Sequence, residues 1–138
     1  MKQLLAISLL SLFGLFVISG CNTLRGSDAA KDYNEDPLTV SVASGMPTAE
    51  VTTLMNQVFQ GRDWTVISSE PGRVVAELNH RGFKAQATMV QTGDKIQILS
   101  NSEYLSPKSG EYSAAVPYGW LENLQKDLNR MMARSVYN

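Results

Sequence analysis

Residues 64–100 read WTVISSEPGRVVAELNHRGFKAQATMVQTGDKIQILS. Three turn-forming pairs, Pro71-Gly72, Arg81-Gly82 and Gly93-Asp94, cut this stretch into four runs. Proline fixes φ and glycine supplies positive φ, so each pair marks a reversal between antiparallel strands. The predicted strands are Trp64–Ser69, Arg73–His80, Phe83–Gln91 and Lys95–Ser100. In the second, Val74, Ala76 and Leu78 share a face opposite Glu77 and Asn79. In the third, Phe83, Ala85, Ala87 and Met89 share a face opposite Lys84, Gln86 and Thr88. Ile96 and Ile98 share a face in the fourth. This period of two is the signature of a half-buried sheet. A two-residue loop at Arg81-Gly82 pairs His80 with Phe83, Leu78 with Ala85 and Ala76 with Ala87. The same loop length at Gly93-Asp94 pairs Gln91 with Ile96 and Met89 with Ile98. Both registers put the apolar sets on one face. At Pro71-Gly72 a two-residue loop turns Trp64 and Val66 to the polar side, because a one-residue slip flips every side chain. A loop one residue longer restores them, and that is the expectation.

On the N-terminal side, Val51, Leu54, Met55, Val58 and Phe59 recur at three and four, one apolar face of a helix of about twelve residues. Thr48 is its expected N-cap, Glu50 favours its first turn, and Gly61 is its expected left-handed end. Before it, Leu38, Val40 and Val42 alternate with Thr39 and Ser41 as a short strand. On the C-terminal side, residues 101–113 read as a loop rich in Ser, Gly and Tyr. Pro117 then opens a second helix with the stripe Leu121, Leu124, Leu128 and Met131. Trp120 and Met132 lie alongside. One apolar sheet face and two amphipathic helices bury each other. The expected fold is a two-layer α+β sandwich: a mainly antiparallel sheet of one short N-terminal strand plus a four-strand meander, with two helices on one face.

The chain has 138 residues and a net charge of −1. It has no basic stripe, which argues against nucleic acid as a partner. Its single cysteine, Cys21, rules out a disulfide within the chain. The domain must therefore stand on its apolar core. About a hundred residues are left for that core, enough for one domain.

Cys21 ends a distinctive segment. Lys2 precedes an apolar run from Leu4 to Ile18, then come Ser19 and Gly20. The run is shorter than the roughly 20 residues that span a bilayer and fits the apolar region of a signal peptide. The sequence Ile18-Ser19-Gly20-Cys21 resembles the lipobox of bacterial lipoproteins. The resemblance implies cleavage between Gly20 and Cys21 and a diacylglyceryl thioether on the cysteine sulfur. Residues 1–20 are then a signal peptide, and the membrane is a partner through the lipid. Asn22, where an Asp would retain the protein in the inner membrane, favours the periplasmic side of the outer membrane. Residues 22–36 are polar and read as a flexible tether spanning about 20 Å. Residues 37–138 are the expected domain.

Catalytic and metal-binding patterns are sparse. His80, the only histidine, sits at a hairpin end and reads as a turn residue, with no orienting group in sight. Glu77, Glu103 and Glu111 read as solvated charges. No metal and no cofactor is expected from the side chains present. The features that point outward are aromatic and apolar. Tyr104, Tyr112 and Tyr118, with Trp120, suit either an interface or closure of the core. Ile67, Val75, Val90 and Leu99 fall on the outer sheet face, where a contiguous patch would take a partner.

From about Pro47 onward, the chain resembles a family of small uncharacterised bacterial lipoproteins. The likeness rests on Gly61-Arg62-Asp63-Trp64, Pro71-Gly72, Asn101-Ser102-Glu103-Tyr104-Leu105 and Trp120-Leu121-Glu122-Asn123-Leu124. The family's Tyr-Asn pair ahead of that Trp is replaced here by Pro117-Tyr118-Gly119. The resemblance implies an envelope lipoprotein and supplies no catalytic residues. The expected function is a non-enzymatic interaction module held at the membrane, with an envelope protein as partner. The alternative is a periplasmic lipoprotein that binds a small molecule, lipid or glycan fragment beside Tyr104 or Tyr112.

Overall fold

A computed structural model describes residues 23–138. The signal segment, Gly20 and Cys21 lie outside the described residues. The elements in chain order are β1 (Thr23–Arg25), α1 (Ser27–Glu35), β2 (Leu38–Ser41), α2 (Thr48–Gly61), β3 (Thr65–Glu70), β4 (Arg73–His80), β5 (Phe83–Thr92), β6 (Lys95–Ser100), β7 (Glu103–Leu105), β8 (Tyr112–Pro117) and α3 (Tyr118–Ser135). They form an α+β fold with an open antiparallel sheet of eight strands and three helices. The sequence pattern accounts for five of those strands and two of those helices.

The meander follows from its turns. His80 pairs with Phe83, Leu78 with Ala85 and Ala76 with Ala87, and Gln91 pairs with Ile96 and Met89 with Ile98, in the expected registers. The expectation at Pro71-Gly72 needs correction. Glu70 pairs with Arg73 across a two-residue turn, and the extra residue lies inside the strand as a bulge between Val66 and Ser68. That residue is Ile67, which is 49% exposed. The bulge resets the alternation. Trp64 is therefore buried and Val66 packs against the core.

β5 is the long central strand. One edge pairs with β4 along its length. Its other edge pairs first with β7 and then with β6, in one continuous register: Lys84 opposite Glu103, Ala87 opposite Ser100. Residues 101–113 are therefore not simply a loop, because β7 and the first two residues of β8 fall within them and belong to the sheet. The ladder is interrupted at Asn101-Ser102, and polar groups take over. The Asn101 N–H donates to Gln86 O at 2.9 Å, and the Gln86 N–H donates to Ser102 Oγ at 3.1 Å. Ser102 Oγ and Ser100 Oγ lie 2.9 Å apart, both residues buried. Most buried polar groups in folded proteins have such a partner. Beyond the interruption the outer neighbour changes. β2 runs beside β6, β8 runs beside β7, and β1 completes the edge beside β8.

α2 and α3 pack on each other and close the core. α2 buries Val51, Leu54, Met55, Val58 and Phe59, and α3 buries Leu121, Leu124, Leu128 and Met132. Met131, expected on the stripe, is only partly buried, and Met132 takes its place. Each fully buried side chain of this size contributes about 1.5–3 kcal/mol. The expected caps differ. Pro47 precedes α2 and Thr48 lies within it. Gly61 is the last helical residue, and positive φ falls at Asp63 (φ 63°).

The expected tether is also corrected. Thr23–Arg25 pairs with β8, from Thr23 opposite Pro117 to Arg25 opposite Ala115. α1 follows at once, and its Tyr33 enters the core, where its hydroxyl donates to Ile98 O at 2.5 Å. The side chain of Asn34 hydrogen-bonds both the N–H and the C=O of Ser100. One aromatic anchor and a short ladder offset the ordering entropy that the composition alone could not. Thr23–Glu35 thus belongs to the fold, which does not wait until residue 37.

Candidate functional site

A half-open cleft of about 820 Å³ lies where β1, the β4–β5 turn, β7 and the start of α3 meet. Phe83 and Trp120 form its aromatic wall, with ring centroids 5.1 Å apart, and Tyr104 stands 4.9 Å from Phe83. Trp120 also meets the buried Trp64 edge-on at 6.4 Å. The wall is thus continuous with the core, which holds it rigid.

The turn that presents this wall is conformationally demanding. Arg81 has φ 49° and Gly82 φ 82°. Positive φ at both central residues defines the hairpin turn that best matches strand twist. At Gly82 a Cβ would stand 3.1 Å from Tyr104 Cε2. Glycine there meets two needs, the backbone angle and the close approach of the Tyr104 ring. At Arg81 the left-handed conformation carries a cost that Asn or Gly would lower.

Charge collects around the mouth. Arg25, Arg81 and Lys126 line the cleft, against the single carboxylate of Glu122. Arg25 lies over the Tyr104 ring at 4.7 Å, a cation–π contact that orients the guanidinium. Among the described residues none of these three cations is in an ion pair. Thr23 and Pro117, partners in the β1–β8 ladder, line the same cleft.

The structure brings Tyr104 and Trp120 together here, and it separates the other expected residues. Tyr112 lies on the opposite sheet face, where Lys84 Nζ stands 4.0 Å from its ring centroid. Tyr118 packs edge-on against Tyr33 at 6.1 Å, on the core side. The outer patch is corrected. Val75 is buried, screened on a central strand by its neighbours Ser68 and Thr88. Thr88 separates it from Leu99, which is half-buried like Val90. Ile67 alone of the four is strongly exposed, so no broad apolar surface forms there.

His80 is exposed, its ring 6.1 Å from Trp120. Glu77 and Glu103 line a second, smaller hollow of about 300 Å³ with Lys84, and Glu111 does not join them. Among the described residues no three His, Cys, Asp or Glu side chains cluster to hold a metal ion, and no helix is long and apolar enough to cross a membrane.

Thr23, Arg25, Arg81, Phe83 and Lys126 are the cleft residues that sequence reading did not single out. One signal was present: an Arg ahead of Gly in a two-residue hairpin, where Asn or Gly is favoured. Compared with protein families, with curated proteins and with solved structures, the chain matches none.

Proposed function

We propose that this chain is a lipid-anchored bacterial envelope protein, fixed through Cys21 and facing the periplasm, that works as a non-enzymatic binding module on a two-layer α+β sandwich. The cleft beside Tyr104 carries the reading. Its volume of about 820 Å³ falls within the usual range for small-molecule sites, as does its mixture of aromatic wall and a few placed charges. Of the two kinds of occupant considered, this favours a small molecule, lipid or glycan fragment over a protein. A protein partner would call for a broad apolar face, and the outer sheet does not offer one.

Two measurements test the proposal. Fractionation of cells carrying the wild-type chain or Cys21→Ser tests the anchor: wild type is expected in the membrane fraction, the variant in the soluble one. A photo-crosslinking residue at position 104 in intact cells tests the cleft. Adducts of small mass support the proposal, whereas no adduct, or a single protein adduct only, counts against it.

A further inference from the structure

We propose that the cleft takes the anionic headgroup of a phospholipid drawn from the bilayer that holds Cys21. The inference rests on the anchored reading above and names the ligand class of that same site.

Position is the first argument. Thr23 lines the cleft and is already paired in the sheet. Asn22 alone stands between it and Cys21, so the Cα atoms of Cys21 and Thr23 are at most about 7 Å apart. An acylated sulfur at Cys21 therefore keeps the mouth of the cleft within reach of the lipid headgroups.

Charge is the second. Three cations line a cleft in a chain whose net charge is −1. Guanidinium groups match phosphate oxygens with paired donors. Arg25, stacked on Tyr104, keeps its N–H edges available for that contact. Arg81 holds its place in the cleft at the cost of a left-handed backbone. Strain of this kind gathers at functional sites.

Chemistry of the wall is the third. Tyr104 and Trp120 are amphipathic aromatics of the type that settle at membrane interfaces. They suit the glycerol and first methylenes next to a phosphate better than they suit a free phosphate.

The test uses the full lipidated protein, purified from membranes and reconstituted in phosphatidylcholine vesicles with increasing phosphatidylglycerol. A headgroup-attached quencher reports on Trp120, since Trp64 is buried. Quenching is expected to rise with phosphatidylglycerol and to fall with salt. Arg25→Gln and Lys126→Gln, both exposed positions, are each expected to raise the midpoint about fivefold. Lys95→Gln, at the start of β6 opposite Thr92 at the far end of β5, is expected to leave it unchanged. Equal quenching in both lipids, or an equal shift from Lys95→Gln, overturns the inference. So does glycerol phosphate alone reproducing the change, which would mark a soluble phosphate site. The intact mass of the same preparation separates the two levels: unmodified Cys21 removes the anchored reading and this inference with it, whereas acylated Cys21 without lipid dependence removes only the inference.

Discussion

The side-chain amide of Asn34 hydrogen-bonds Ser100 in both directions, donating to its C=O at 2.8 Å and accepting from its N–H at 2.9 Å. It does so where β6 runs past the end of β2, and so acts as one residue of an absent strand. Through this contact a helix that starts six residues after Cys21 becomes part of the sheet.

Replacing Asn34 with Ala leaves both Ser100 groups without that partner. The expected loss is about 1–2 kcal/mol, read as a lower urea midpoint at unchanged m-value. Asn34→Asp keeps the acceptor and loses the donor, and should fall between the two.

Burial holds the Tyr33 hydroxyl well above its usual range. The native state thus keeps this proton at a pH where the unfolded chain releases it. The stabilisation is complete below about pH 10 and is lost as pH rises beyond that. Tyr33→Phe should lower stability by about 1 kcal/mol at neutral pH and flatten the decline above pH 10, as measured by urea denaturation across that interval.

Arg62 clamps Asp127 with two hydrogen bonds, at 2.6 and 3.1 Å, and so ties the end of α2 to α3. The hydrogen bond from Arg62 lowers the Asp127 carboxyl below the usual carboxylate range. A lowered carboxyl stabilises above its unfolded value near pH 4 and loses that contribution as pH falls through its folded value. The pair is partly exposed, so Arg62→Gln should cost no more than about 1 kcal/mol at pH 7. The variant should also lose less stability than wild type between pH 5 and pH 2, a range set by carboxylate titration in general.

Arg81→Asn relieves a left-handed arginine. Thermal unfolding should show a gain of up to about 1 kcal/mol. The same variant should lose affinity for any anionic ligand of the cleft. A loss of stability would contradict the strain at Arg81, and unchanged or tighter anion binding would contradict its role in the cleft.

The meander was legible because each hairpin turn and each alternating run specify the same register. The bulge at Ile67 was half legible: the need for one extra residue followed from Trp64, but its place did not. A loop and a bulge shift the register equally, and only packing chooses between them. α1 was not legible. Tyr33 is its one buried anchor and Asn34 pairs with backbone, so neither leaves a period to detect. β7 and β8 were hidden for a related reason. The ladder is carried past Asn101-Ser102 by serine hydroxyls, which in sequence look like loop residues. Of the cleft, Tyr104 and Trp120 stood out as aromatics. Arg25 and Lys126 did not, because their convergence depends on β1 lying beside β8.

The most direct measurement is the intact mass of the protein extracted from the membranes of cells that make it. A chain beginning at Cys21 and carrying a diacylglyceryl thioether is the predicted product. A retained leader, or a free thiol at Cys21, would contradict the account.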